Sequence, residues 1–218
     1  MTTNKKIKNH YFLGFIKMLS GLLESDAELV SDLQQASLDD SQKGKKDYFY
    51  NSPPNMDTVK LDFISQLFLQ YMKSNRKQKY FEQPKAVDAV CVDNRNEWFF
   101  IEFKNQYVCN KNTFDEDKNV FSDIKKKMRE SLWLLFSMDS MSDKSIFQTD
   151  ITEFARNHIT YIIVISSKKN TREYNLIRQS PGNHYTPNAL KKYIGYYCKD
   201  AYMITERELP RFINNFKN

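Results

Sequence analysis

The stretch AVDAVCVDNRNEWFFIEFKNQ, residues 86–106, decides how the rest of the chain is read. Two apolar runs flank a polar segment, Asp93-Asn94-Arg95-Asn96, whose composition is that of a hairpin turn. Residues 87–92 and 97–104 are therefore expected to be paired strands. Side chains alternate across a strand, so Trp98, Phe100, Glu102 and Lys104 share one face, and Phe99, Ile101 and Phe103 the other. Glu102 and Lys104 then project to the same side, roughly 7 Å apart by strand rise. The turn lays the start of the first strand beside the end of the second, which brings Asp88 to Glu102 and Lys104. A slip of one residue would turn these side chains to the other face. Charges inside strands that otherwise read as core are costly unless they are paired or used. Two acids and a lysine form a set that can hold a divalent cation beside a phosphodiester.

Working outward, residues 121–138 read as a long helix with Lys125, Lys126, Lys127 and Arg129 near its start. Leu132, Leu135 and Phe136 are expected to face inward. The apolar run HITYIIVIS, residues 158–166, reads as a central buried strand. Upstream, Asp57 is a helix-start signal and residues 59–72 continue as a helix, with Leu61, Ile64, Phe68 and Tyr71 at core spacing. A short strand is expected at residues 80–82, limited by Pro84. Helices are expected at residues 11–23 and 26–36, and the polar stretch 38–55 reads as a linker. Towards the C-terminus, residues 187–197 read as helical, 201–204 as a strand and 206–216 as a closing helix. The order is helix, strands in a meander, helix, strand, which is an α/β arrangement with a mixed sheet. Residues 1–55 are expected to be a helical extension and linker, and residues 56–218 one compact domain.

Composition narrows the function classes. The chain has 218 residues, of which 40% are hydrophobic, enough for the core of one domain. Only 5 glycines are present, which argues against glycine-rich phosphate loops. Lys and Arg number 33 against 27 Asp and Glu, and the net charge of +6 favours a polyanionic partner. Three cysteines without a CxxC pair argue against a disulfide framework or a zinc site. His10, His158 and His184 have no partner at a recognised ligand spacing. The N-terminal apolar stretch is interrupted by Lys17 and reads as an amphipathic helix, not a signal peptide. No apolar run approaches membrane-spanning length, so the sequence reading is a soluble, cytoplasmic protein with no membrane partner.

Asp88, thirteen residues, then Glu102-Phe103-Lys104 resembles the PD-(D/E)xK nuclease superfamily, the restriction-endonuclease-like group that includes Holliday junction resolvases. The expected helix, three-strand meander, helix and strand over residues 57–166 are similar to its core. The resemblance implies a nuclease that uses Mg²⁺ (or Mn²⁺) to hydrolyse phosphodiester bonds in nucleic acid, DNA in the first place. It implies Asp88 and Glu102 as metal ligands and Lys104 as the catalytic lysine. Gln106 fits the polar residue that some branches carry two positions past the lysine. The Phe103 carbonyl, running past the site, is a further candidate ligand. Many branches add an acid from the first core helix, for which Asp57 and Asp62 both stand as candidates, with Glu24 and Glu28 farther upstream. Val87, not Pro, precedes Asp88. Cleavage of both strands of a duplex needs two sites, which makes a homodimer plausible.

Other readings compete. Glu102 and Lys104 could form the exposed face of an edge strand, with Asp88 as a cross-strand partner. Trp98 and Phe100 on the same face argue against free exposure. The chain could be a catalytically inactive nucleic-acid-binding domain on the same fold. It could also be a protein-interaction module, in which case the apolar face of residues 11–23 would be left open. The run Lys125 to Lys127 is either a solvated helix face or a phosphate contact.

Overall fold

The computed structural model describes residues 9–23, 28–39, 47–51, 56–77, 80–110, 113, 115–143, 145–147 and 150–217. In chain order the elements are α1 (His10–Leu23), β1 (Val30–Asp32), α2 (Leu33–Ala36), β2 (Leu38–Asp39), β3 (Asp47–Tyr48), β4 (Asp57–Val59) and α3 (Leu61–Asn75). They continue with β5 (Ala89–Val92), β6 (Trp98–Lys104), α4 (Lys118–Met141), α5 (Ile151–His158), β7 (Ile159–Ile165) and α6 (Thr171–Gln179). The last three are α7 (Asn188–Lys191), β8 (Asp200–Thr205) and α8 (Leu209–Lys217).

Six strands form one mixed sheet in the order β1-β4-β5-β6-β7-β8. The run ITYIIVI of β7 is rich in β-branched residues and buried at all seven positions. A strand hidden on both faces reads as a continuous apolar run, and β7 indeed lies parallel between β6 and β8. The β1, β4, β5 and β6 strands are antiparallel to their neighbours in turn. Alternation divides the sheet's side chains between two cores. Val90, Val92, Trp98, Phe100, Tyr161 and Ile163 pack with residues of α1, α3, α4 and α5. Ala89, Cys91, Phe99, Ile101, Ile162 and Val164 pack with Leu33 of α2, Tyr50 and Leu209 and Ile213 of α8. The protein is thus α/β, a mixed sheet between helices.

Several expectations from the sequence are corrected. Asp57 does not start a helix: residues 57–59 are the strand β4, held between β1 and β5, and the helix begins at Leu61. Residues 80–82 form no strand, so the third antiparallel strand beside the hairpin is β4, which precedes α3 in the chain. Within the expected helix at 26–36, residues 30–32 are strand and one helical turn follows. Asp32 makes the switch by accepting a hydrogen bond from the Gln35 N–H at 2.8 Å. Residues 26 and 27 lie outside the described residues. In the stretch 38–55, β2 and β3 pair and Tyr50 is buried, while residues 40–46 and 52–55 lie outside the described residues. The expected helix at 187–197 is a single turn, α7. The helices α5 and α6 were not expected.

The helix α1 buries Phe12, Phe15, Met18, Leu19, Leu22 and Leu23 in the same core as α3 and α4. Its apolar face is therefore covered within the chain. Among the described residues no helix is long and apolar enough to cross a membrane.

Candidate active site

The β5–β6 hairpin fixes the site by fixing the register. The Asp93 carboxylate accepts hydrogen bonds from the N–H groups of Arg95 at 2.8 Å and Glu97 at 2.9 Å, closing the turn. Asn96 takes the left-handed conformation that this tight reversal requires, with φ 64°. Cys91 then pairs with Phe99 and Ala89 with Ile101. The next position down the ladder sets Asp88 across from Glu102. Asp88 accepts a 2.7 Å hydrogen bond from the Phe103 N–H through Oδ2, which holds its carboxylate against the end of β6.

Around this pair, charges alternate in a connected array. Lys104 Nζ lies 2.8 Å from Glu102 Oε1. Lys127 Nζ lies 2.8 Å and 3.0 Å from the two Glu102 oxygens and 3.3 Å from Asp88 Oδ1. Lys104 also reaches Asp123 at 3.2 Å, and Asp123 binds Lys85 at 2.8 Å. Glu102 is fully buried, while the Asp88 side chain keeps 22% of its surface exposed. The site is therefore buried on the Glu102 side and open on the Asp88 side.

This geometry sets the protonation states. Burial and then the Glu102 charge push the Asp88 carboxyl up to about 7, while Lys127, the Phe103 N–H and Lys104 pull it down. Burial alone would lower the Lys127 ammonium, but Glu102 and Asp88 outweigh it and hold it above the ordinary lysine value. Lys104 is raised in the same way, with burial opposed by Glu102 and Asp123. Asp123 lies below the usual carboxylate value, because the bonds from Lys85 and Lys104 outweigh the burial that would raise it. Both lysines therefore stay protonated at neutral pH.

The sequence missed Asp123, and it offered Lys127 only as a phosphate contact or solvated residue, not as a partner of the carboxylates. Asp123 and Lys127 are one helical turn apart on α4. At 100° per residue they fall on the flank between its buried stripe (Phe121, Ile124, Met128, Leu135) and its exposed stripe (Lys126, Arg129). An acid and a lysine at i and i+4 beside that buried stripe were the available signal. Of the run Lys125 to Lys127, only Lys127 reaches the carboxylates; Lys126 faces solvent and pairs with Glu130 at 3.6 Å. Behind the site, Tyr161 is the register partner of Phe100, and its buried hydroxyl has no hydrogen-bond partner among the described residues. Burial, and then the charges of Glu102, Asp88 and Asp123, hold that phenol well above the ordinary tyrosine value.

Other candidates fall away from this cluster. Gln106 lies two residues beyond β6 and is exposed, and its carbonyl accepts a hydrogen bond from Asn170 Nδ2 at 2.9 Å. The Phe103 ring points to the opposite core, edge-on to Phe49, so its backbone alone borders the site. In the β4–β5 ladder Val59 pairs with Val90, which directs Asp57 towards Val92 and away from Asp88. Asp62 opens α3 and accepts from the Phe63 N–H at 2.8 Å. Glu28 is exposed, and Glu24 lies outside the described residues. Among the described residues, neither Asp57 nor Asp62 completes a group of three acids with Asp88 and Glu102.

The edge-strand reading does not survive. β6 is paired on both sides, and Glu102 is buried. The donor set does fit a divalent cation. Two hard carboxylates converge on one cationic group, the Lys127 ammonium, and burial with crowding of like charge raises Asp88 despite two neighbouring lysines. Mg²⁺ is commonly held by one or two carboxylates, with water and phosphate oxygens completing its shell. Comparisons of the chain with family models, curated proteins and solved structures gave no match.

Proposed function

We propose that this protein is a metal-dependent nuclease that hydrolyses phosphodiester bonds, in DNA in the first place, on a PD-(D/E)xK-type site. The observation that carries the reading is the cross-strand meeting of Asp88 and Glu102 on one cationic group, with Lys104 beside them. In this reading Asp88 and Glu102 hold Mg²⁺ or Mn²⁺. The bound cation supplies positive charge to the phosphate oxygens and makes a nearby water easier to deprotonate.

The chain's own residues do the rest. Lys104 presents its ammonium to the site as a hydrogen-bond donor. It can orient the attacking water and stabilise charge building on the phosphate. Asp123 and Glu102 hold the Lys104 ammonium in place from two sides. Water oxygen bonds to phosphorus as the bond to the leaving oxygen breaks, one water proton passes to solvent, and the leaving oxygen takes a proton from solvent. Phe103 keeps Asp88 aimed at the site through its N–H. Lys127 occupies the position between the carboxylates and must shift for a divalent cation to sit there.

The docking-module reading needs the apolar face of α1 to be open, and that face is spent on the core. The test of the proposal is cleavage of plasmid DNA with Mg²⁺ or Mn²⁺. Cleavage by the parent protein should fall about 100-fold or more in Asp88→Ala and in Lys104→Ala, the loss typical of removing a group that stabilises the transition state. Activity that persists in both variants would sink the site assignment. DNA binding without cleavage in the parent would instead favour the inactive binding domain.

A further inference from the structure

The solvent-facing stripe of α4 runs Ser122, Lys126, Arg129, Trp133, Phe136, Ser140, all exposed. The outer stripe of a surface helix is normally polar throughout. Here two large aromatics occupy it, with Trp133 46% and Phe136 42% exposed. Phe136 was expected in the core, but the buried stripe follows Met128, Ser131, Leu135 and Met138 and leaves it outside.

Trp133 is braced from below. Its ring centroid lies 5.8 Å from Phe81, and it meets Phe68 edge-on at 6.3 Å. The indole thus packs on two rings and still keeps nearly half of its surface exposed, as a stacking residue must. Tyr80, next to Phe81 in the chain, is 88% exposed and extends the aromatic edge. Basic residues border it: Lys126 and Arg129 precede the aromatics on the same stripe, and exposed Arg76 and Lys77 lie just past the end of α3. Lys127 of the acidic site stands six residues before Trp133, about 9 Å along the helix axis and about a third of a turn around it.

Resting on the nuclease reading, we propose that this stripe is a platform that seats an unpaired nucleic-acid strand next to the Asp88–Glu102 site. Bases stack on Trp133 and Phe136 while Lys126 and Arg129 offset phosphate charge. A duplex keeps its base faces inside the stack and offers none to the indole. The platform therefore selects a single strand, or the unpaired part of a larger substrate. The charge argues for a polyanion over a second copy of the chain, since Lys126 and Arg129 on the stripe, with Arg76 and Lys77 just past α3, outnumber Glu130, which pairs with Lys126.

The test is binding of the 218-residue chain, in EDTA so that nothing is cut, to a fluorescein-labelled 15-mer of oligo(dT) and to a duplex of equal length. The single strand should bind about 10-fold tighter than the duplex. Trp133→Ala and Phe136→Ala should each weaken single-strand binding by roughly 5- to 100-fold, in line with one lost stacking contact, and leave duplex binding unchanged. Phe136 serves as the second variant if the Trp133 variant fails to fold. Of the two tryptophans, Trp98 is only 2% exposed, so quenching of the parent's emission by oligo(dT) reports on Trp133. Equal affinity for both strand forms, or no effect of either variant, would overturn the platform. So would a change from dimer to monomer in Phe136→Ala with DNA affinity kept. Because binding is read without a cation, a protein that binds through Trp133 yet never cuts would contradict the nuclease reading alone.

Discussion

The two ends of β6 present the same face of the same strand to opposite fates. At the N-terminal end Trp98 and Phe100 are buried among rings, with Trp98 4.9 Å from Phe15, 5.5 Å from Phe147 and 5.7 Å from Phe154. At the C-terminal end Glu102 and Lys104 are nearly as enclosed, yet their side chains pair with charged ones, Asp123 and Lys127 of α4 among them. Strand alternation is identical throughout. What differs is the cover: aromatic residues from α1 and α5 over one end, the polar flank of α4 over the other. Burial by itself therefore does not separate core from site. The chemistry of the covering helix does, since Asp123 and Lys127 of α4 meet the charged end with charges of their own.

The largest expected effect falls on the aromatic end. Trp98→Ala removes a buried ring from a close-packed cluster and should cost about 3–5 kcal/mol of stability in urea denaturation. Cleavage per folded molecule should stay unchanged. A cost below about 1 kcal/mol would break the claim that this end is core.

A smaller effect sharpens the picture of the charged end. Lys127→Met withdraws the ammonium that bridges Asp88 and Glu102, leaving the carboxylates in need of a cation. Added Mg²⁺ should raise the melting temperature of this variant by about 2–4 °C more than it raises that of the parent, the shift expected for about 1 kcal/mol in a chain of this size. Equal shifts would mean that Lys127 and the metal do not compete for one place.

The smallest effect is a pH dependence at Asp123. Its folded value lies below the unfolded one, held down by Lys85 and Lys104. The stability it contributes is present above the unfolded value of about 4 and is lost as pH falls through the folded value. The urea midpoint of the parent should therefore drop more steeply than that of Asp123→Asn as pH falls from 5 to 3. Parallel curves would remove Asp123 from the array.

The sequence showed most of the charged strand and little of its cover. Asp88, Glu102 and Lys104 were legible because a two-residue period and a recognisable turn fix their relative positions with no help from distant residues. The buried strand β7 was legible because its run is short and rich in β-branched residues, which favours a strand over a buried helix. The contribution of α4 was hidden by helix phase. Whether Lys125, Lys126 or Lys127 turns inward, and whether Phe136 does, depends on a rotation that tertiary packing sets. The same limit explains Asp57: three residues of strand carry too little pattern to compete with a helix-start signal, and β4 exists because β1 and β5 pair with it.

The central claim is that the charged end of β6 is built for a divalent cation. Calorimetric titration of Mn²⁺ into the parent protein and into Asp88→Asn tests it most directly, with circular dichroism confirming that both are folded. The account predicts one Mn²⁺ per chain in the parent and a loss of affinity of about 10-fold or more in the variant. Equal stoichiometry and affinity in the two proteins would contradict it.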